Sequence, residues 1–135
     1  MTTPPDLMVR RAVSELVGTA MLVSAVVGSG IAASRLSPDD VGLQLLENSL
    51  ITGAALVALI LALQPVSAAF NPVVTLVEAA FGALRAAEAA ILVGAQIAGG
   101  LVGVVLANLM FDLDAISIAG THRSGASLWL GEVLA

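Results

Sequence analysis

Three long apolar stretches alternate with short polar breaks along this chain. The first covers residues 12–33, the second 43–63 and the third 86–110. A helix rises about 1.5 Å per residue and the hydrocarbon core of a bilayer is about 30 Å thick, so each stretch is long enough to span it. Between the second and third stretches the pattern breaks at Pro65 and restarts at Asn71-Pro72. Residues 72–81 form one short apolar run, predicted as a helix of about 15 Å that reaches only the midplane. Lipid tolerates irregular backbone such as residues 66–70 only where protein buries it or a wet cavity receives it. The pattern therefore predicts an all-α integral membrane protein with three transmembrane helices and one re-entrant half-helix.

The breaks and flanks agree with that division. Residues 1–11 are polar, contain Pro4 and Pro5, and read as a disordered tail. Arg10 and Arg11 then precede an apolar run of 22 residues, too long for a cleaved signal's core of about 7–15. The run reads as an anchor that remains as the first span. Ser34-Arg-Leu-Ser-Pro-Asp-Asp40 reads as a turn, and residues 112–128 as an exposed loop with Asp112, Asp114, His122 and Arg123. Trp129 is placed at the membrane interface in a C-terminal segment. Glu15-Leu-Val and Glu132-Val-Leu share an opening, a faint sign of an internal repeat whose second copy begins at the C-terminal end.

Composition narrows the function. Hydrophobic residues make up 59% of the 135, charged residues 11%, and the mean hydropathy is +1.03. The five basic residues are all Arg and are scattered under a net charge of −5, which gives nucleic acid no footprint. The absence of Cys excludes disulfides and thiolate metal sites, and His122 is the single His. No catalytic set or phosphate-binding loop stands out. We expect a non-enzyme with neither cofactor nor metal, whose surroundings are membrane lipid.

The candidate chemistry lies in the re-entrant region. Pro72 suits the first helical position, where its missing N–H costs nothing. The Asn71 carboxamide oxygen caps the helix and leaves the NH₂ group free to donate. The helix N-terminus adds about half a positive charge, which repels cations. Carbonyls of the extended run Val66, Ser67, Ala68 and Ala69 need donors that water or a hydroxylated solute supplies. Glu15 lies inside a span and must be satisfied there, with the N–H groups of the loop as natural donors. A protonatable transport carboxylate and a snorkelling end residue are the alternatives. Gln96 is expected to brace the loop or to bond between helices, and Gly99 and Gly103, with three residues between them, to allow close helix packing. Glu78 and Glu88 flank Arg85 and read as a solvated face.

In these residues the chain resembles the major intrinsic protein family of aquaporins and glyceroporins, specifically its N-terminal half. The resemblance rests on Glu15-Leu-Val-Gly-Thr, Phe70-Asn-Pro-Val-Val-Thr75 and Gln96-Ile-Ala-Gly-Gly100. It is nearest to aliphatic-pored bacterial members associated with arsenite handling. It implies three spans and a half-helix per half, with the two halves inverted about the membrane plane. Asn71 is then one of two paired asparagines, Glu15 the loop anchor, and Ile51 the second span's contribution to the selectivity constriction. Val73 and Val74 take places in the signature where the family has Ala and, in its second half, Arg. Ala69 stands where a His is usual, and Ile51 where many members have an aromatic residue.

The second half with its own signature and filter arginine is absent from these residues. The expectation is an antiparallel homodimer, with such pairs gathering into a tetramer of pairs, in a bacterial inner membrane. With an internal N-terminus, Arg10, Arg11 and Arg85 lie inside against Arg35 and Arg123 outside. That bias is weak enough to permit both orientations. The expected activity is passive passage of water and small neutral solutes, glycerol-like or metalloid hydroxides. A proton-coupled dimeric efflux transporter working through Glu15, and a non-conducting fragment or regulator, are the competing readings.

Overall fold

A computed structural model describes residues 4–117, 120 and 124–134. Its elements run α1 (Pro5–Leu36), α2 (Val41–Leu63), α3 (Pro72–Ala80), α4 (Ala86–Met110) and α5 (Ala126–Leu134). Three of them, α1, α2 and α4, are long and apolar enough to cross a membrane. With 9 residues, α3 extends about 14 Å and is the predicted half-helix. The chain is a multi-pass, all-α membrane protein.

The helix starts follow from local chemistry. Pro5 occupies the first turn of α1, and Met8 N–H bonds to Pro4 O at 3.0 Å. The helix therefore begins at Pro5, and residues 5–11, expected as disordered tail, form its first two turns. Asp40 caps α2 by accepting from Leu43 N–H at 2.9 Å. Asn71 caps α3 in the same way, accepting from Val73 N–H at 2.8 Å. Gly82, at φ +79, ends that short helix, and Ala83 N–H closes on Glu78 O at 2.9 Å. Only glycine adopts this left-handed turn at no steric cost.

A second expectation is corrected at the α3–α4 junction. Glu88 does not share a solvated face with Glu78 and Arg85, since it is buried at 6% exposure. Its carboxylate accepts from Arg85 N–H and from Arg85 Nη2, each at 3.1 Å. A residue three positions into a helix reaches back over the first turn, which is why this glutamate folds inward as a cap. Glu78 is exposed. At the other end of the chain, the last part of the expected loop 112–128 and Trp129 lie on α5. His122 and Arg123 fall outside the described residues.

The core is the seam between α1 and α4. A Cβ built on Gly99 would strike the Leu16 carbonyl. One on Gly103 would lie 2.5 Å from Ala20 O and 2.9 Å from Val23 Cβ. The two backbones therefore touch directly, and Ser24 Oγ donates to Gly103 O at 3.0 Å. Small residues give membrane helices this close approach. Gly103→Leu is expected to cost about 1–3 kcal/mol through overpacking, read as a lower unfolding midpoint in detergent. An unchanged midpoint would mean that the two backbones do not meet at Gly103.

Among the described residues, α2 packs on α1 alone, and of its own residues only Leu59 is buried. Ser29 Oγ of α1 donates to Asn48 Oδ1 at 3.0 Å, and near the turn Gln44 Nε2 donates to Ser37 O at 2.7 Å while Ser37 Oγ donates to Glu47 Oε1 at 3.2 Å. Helix α3 packs on α4. The far ends of α1 and α4 are pinned by Arg35, whose Nη2 donates to Phe111 O at 2.7 Å with the guanidinium 5.3 Å over the Phe111 ring.

Candidate functional site: a carboxylate-held re-entrant loop

Residues 64–66 turn at the end of α2, and residues 67–71 then run back into the bundle without regular secondary structure. They end at Phe70, which takes the left-handed conformation at φ 49. For a bulky side chain this costs about 1–2 kcal/mol, so neighbouring groups must hold it. Glu15 does so from α1. Its Oε1 accepts from Ser67 Oγ at 2.5 Å and Ala69 N–H at 2.9 Å. Its Oε2 accepts from Phe70 N–H at 2.7 Å and Gln96 Nε2 at 2.9 Å. Four donors thus meet one fully buried carboxylate. Such satisfaction is what lets a charge stay inside a low-dielectric bundle.

The network extends one step further on each side. Ser14 Oγ donates to Ser67 O at 2.7 Å, so adjacent residues of α1 grip both the backbone and the side chain of Ser67. Gln96 Nε2 also donates to Thr75 Oγ1 at 2.8 Å. Gln96 therefore bonds between helices, joining α4 to α1 and α3, and reaches the loop only through Glu15. Gly18, one turn above Glu15, leaves room for the Phe70 ring, which occupies the space that any Cβ there would need.

What the loop presents on its other side is a groove of about 660 Å³. Residues 66–71 form its floor, and Val74 and Glu78 continue it along α3. Leu56, Ile60 and Gln64 supply the wall from α2, and Arg11 and Leu22 the wall from α1. The carbonyls of Val66, Ala68 and Ala69 accept no hydrogen bond among the described residues. Nor does the Asn71 NH₂ group find a partner there. The groove thus has apolar walls at Leu22, Leu56 and Ile60, polar side chains at Arg11, Gln64 and Glu78, and unsatisfied donors and acceptors along its floor.

Of the residues expected at the pore, Val66, Ser67, Ala68, Ala69, Asn71 and Val74 line this groove. Pro72 is in the first turn of α3, and Val73 points away, 65% exposed. Ile51 lies beyond the groove, nine residues along α2 from Ile60, and is 47% exposed. Arg11, Leu22, Leu56, Ile60, Gln64 and Glu78 were not anticipated as lining. Their signal was helical spacing: 11, 15, 18 and 22 share a face of α1, 56, 60 and 64 a face of α2, and 71, 74 and 78 a face of α3.

A short helix with a capped N-terminus, fed by an irregular loop that a buried carboxylate holds, defines a re-entrant membrane fold. The family profile of the major intrinsic proteins matches residues 3–131, and the chain belongs to that family. It is 47% identical over 129 residues to the aquaglyceroporin AqpS of Rhizobium meliloti (strain 1021). That match covers 95% of this chain and 55% of the relative, so the chain spans about half the length of the curated relative it matches. No solved structure matches it.

Proposed function

We propose that this chain supplies one half of a passive transmembrane pore for water and small neutral solutes. A second copy in inverted orientation closes the pore. The observation that carries the reading is the groove floor, where the free carbonyls of Val66, Ala68 and Ala69 lead to a free Asn71 NH₂ at the tip of a half-helix. A single file of hydroxyls can donate to the first and accept from the second without leaving a hydrogen bond unmade. The positive end of α3 opposes cations at the same depth.

Closure by an inverted copy follows from what the half-helix lacks. Asn71 and Val73 are exposed at its tip, and Val74, Leu76 and Val77 are exposed along α3. A twofold axis in the membrane plane brings an identical tip to the same depth with its donors aimed at the same file, and such interfaces are self-complementary. Paired copies can gather into a tetramer of pairs. With Val74 on the wall and no arginine there, the pore is less polar than a strict water filter. We therefore assign it glycerol-like solutes and metalloid hydroxides besides water, in line with a relative named as an aquaglyceroporin. Its place is the bacterial inner membrane. The proton-coupled reading of Glu15 is disfavoured because four donors already occupy its oxygens.

Two measurements test this. Stopped-flow light scattering on proteoliposomes should give osmotic permeability well above that of empty vesicles, and equality would end the pore reading. The chain contains no Cys, so a single cysteine engineered at either terminus reports sidedness cleanly. Labelling of each terminus from both faces is expected, and labelling of all molecules from one face alone would refute inverted pairing.

A further inference from the structure

We propose that Arg11, Gln64 and Glu78 form a capture site for neutral polyhydroxylated solutes at the mouth of the groove, an inference that rests on the channel reading above. The three residues come from different elements and line one groove. Arg11 lies one turn before Glu15, about 6 Å toward the N-terminal end of α1. Gln64 caps the C-terminal end of α2. Glu78 lies about 10 Å along α3 from the Asn71 tip. All three therefore ring the same side of the midplane, where α1 and α4 begin and α2 and α3 end.

Their state is unusual for opposite charges in one groove. Neither the Arg11 guanidinium nor the Glu78 carboxylate makes a hydrogen bond or ion pair among the described residues, and the Gln64 carboxamide makes none either. The guanidinium, the carboxylate and the amide are thus all available to a guest. A carboxylate accepts from two neighbouring hydroxyls at once, while a guanidinium donates to their oxygens and the amide does either. A vicinal diol or triol satisfies all three together. Water reaches one at a time, and an ion of either sign is attracted by one charge and repelled by the other. A site of this kind concentrates polyols ahead of the narrower floor without slowing water.

The test uses the full chain with glycerol as probe and 1,3-propanediol, which lacks adjacent hydroxyls, as comparator. Glu78→Ala and Arg11→Ala are each expected to lower the ratio of glycerol to water permeability about tenfold, the weight of one hydrogen bond to a charged group. Glu78→Asp should recover part of that ratio. Detergent-solubilised protein should transfer NMR saturation to glycerol more strongly than to 1,3-propanediol, with the difference lost in the Arg11→Ala/Glu78→Ala double variant. An unchanged or increased permeability ratio, or a transfer signal that survives the double substitution, would overturn the site. Vesicles that pass no water would fail the channel reading alone, because saturation transfer still decides whether glycerol binds.

Discussion

Glu15→Gln will detach the re-entrant loop. Each carboxylate oxygen holds two donors, so a carboxamide NH₂ placed at either one faces two groups that also donate. The Ser67 hydroxyl can turn round to accept, and Gln96 can do so by flipping its carboxamide, but a backbone N–H cannot. At least one backbone N–H, of Ala69 or Phe70, then loses its acceptor in a buried site. A stranded donor costs about 1–3 kcal/mol, and the two N–H groups of the new amide add to it. We expect a loss of about 3–5 kcal/mol, seen as a lowered unfolding midpoint, and osmotic permeability falling to that of empty vesicles. A variant as stable and as permeable as the parent would refute Glu15 as the anchor. Proton-driven uptake that vanishes while the midpoint holds would instead reinstate the transport carboxylate.

The second large effect is expected at Gly18. Any side chain there begins inside the Phe70 ring. The ring cannot withdraw freely, because Phe70 is held by its N–H at Glu15 and is only 5% exposed. Gly18→Val therefore drives the ring toward the groove that Phe70 lines. The expected result is a destabilisation of about 1–3 kcal/mol together with loss of water flux. Gly18→Ala combined with Phe70→Ala removes the collision, and the pair should be less damaging than the sum of its parts, since contacting residues couple. Strict additivity in that cycle would show that the ring and the glycine do not meet.

Much of this architecture was legible because the bilayer imposes lengths. A run of ten apolar residues between two of more than twenty has few places to go, and Asn71-Pro72 marked where it starts. Glu15 and Gln96 were legible for a related reason, as polar groups inside spans must find one another. The walls of the groove were harder to see. Leu22, Leu56 and Ile60 stand among apolar neighbours on every side, so no polar face singled out the stripe to which they belong. Once Glu15 and Gln64 are placed, helical spacing picks them out. Glu88 was misread because a charge beside an arginine on a short junction looks solvated, and its distance of three positions into α4 was the overlooked sign of a cap. The start of α1 was misread through Pro4 and Pro5, which suggest coil but equally suit a first turn.

The hub around Glu15 also governs the order of assembly. Its oxygens are filled from segments that leave the ribosome far later, for Gln96 by 81 residues. Until α4 arrives, the nascent α1 carries a bare carboxylate that lipid will not accept. The first helix must therefore wait beside an aqueous or proteinaceous surface of the insertion machinery. Release into the bilayer becomes a late, concerted event, and a chain interrupted before residue 96 should be retained there or degraded rather than set free among the lipids.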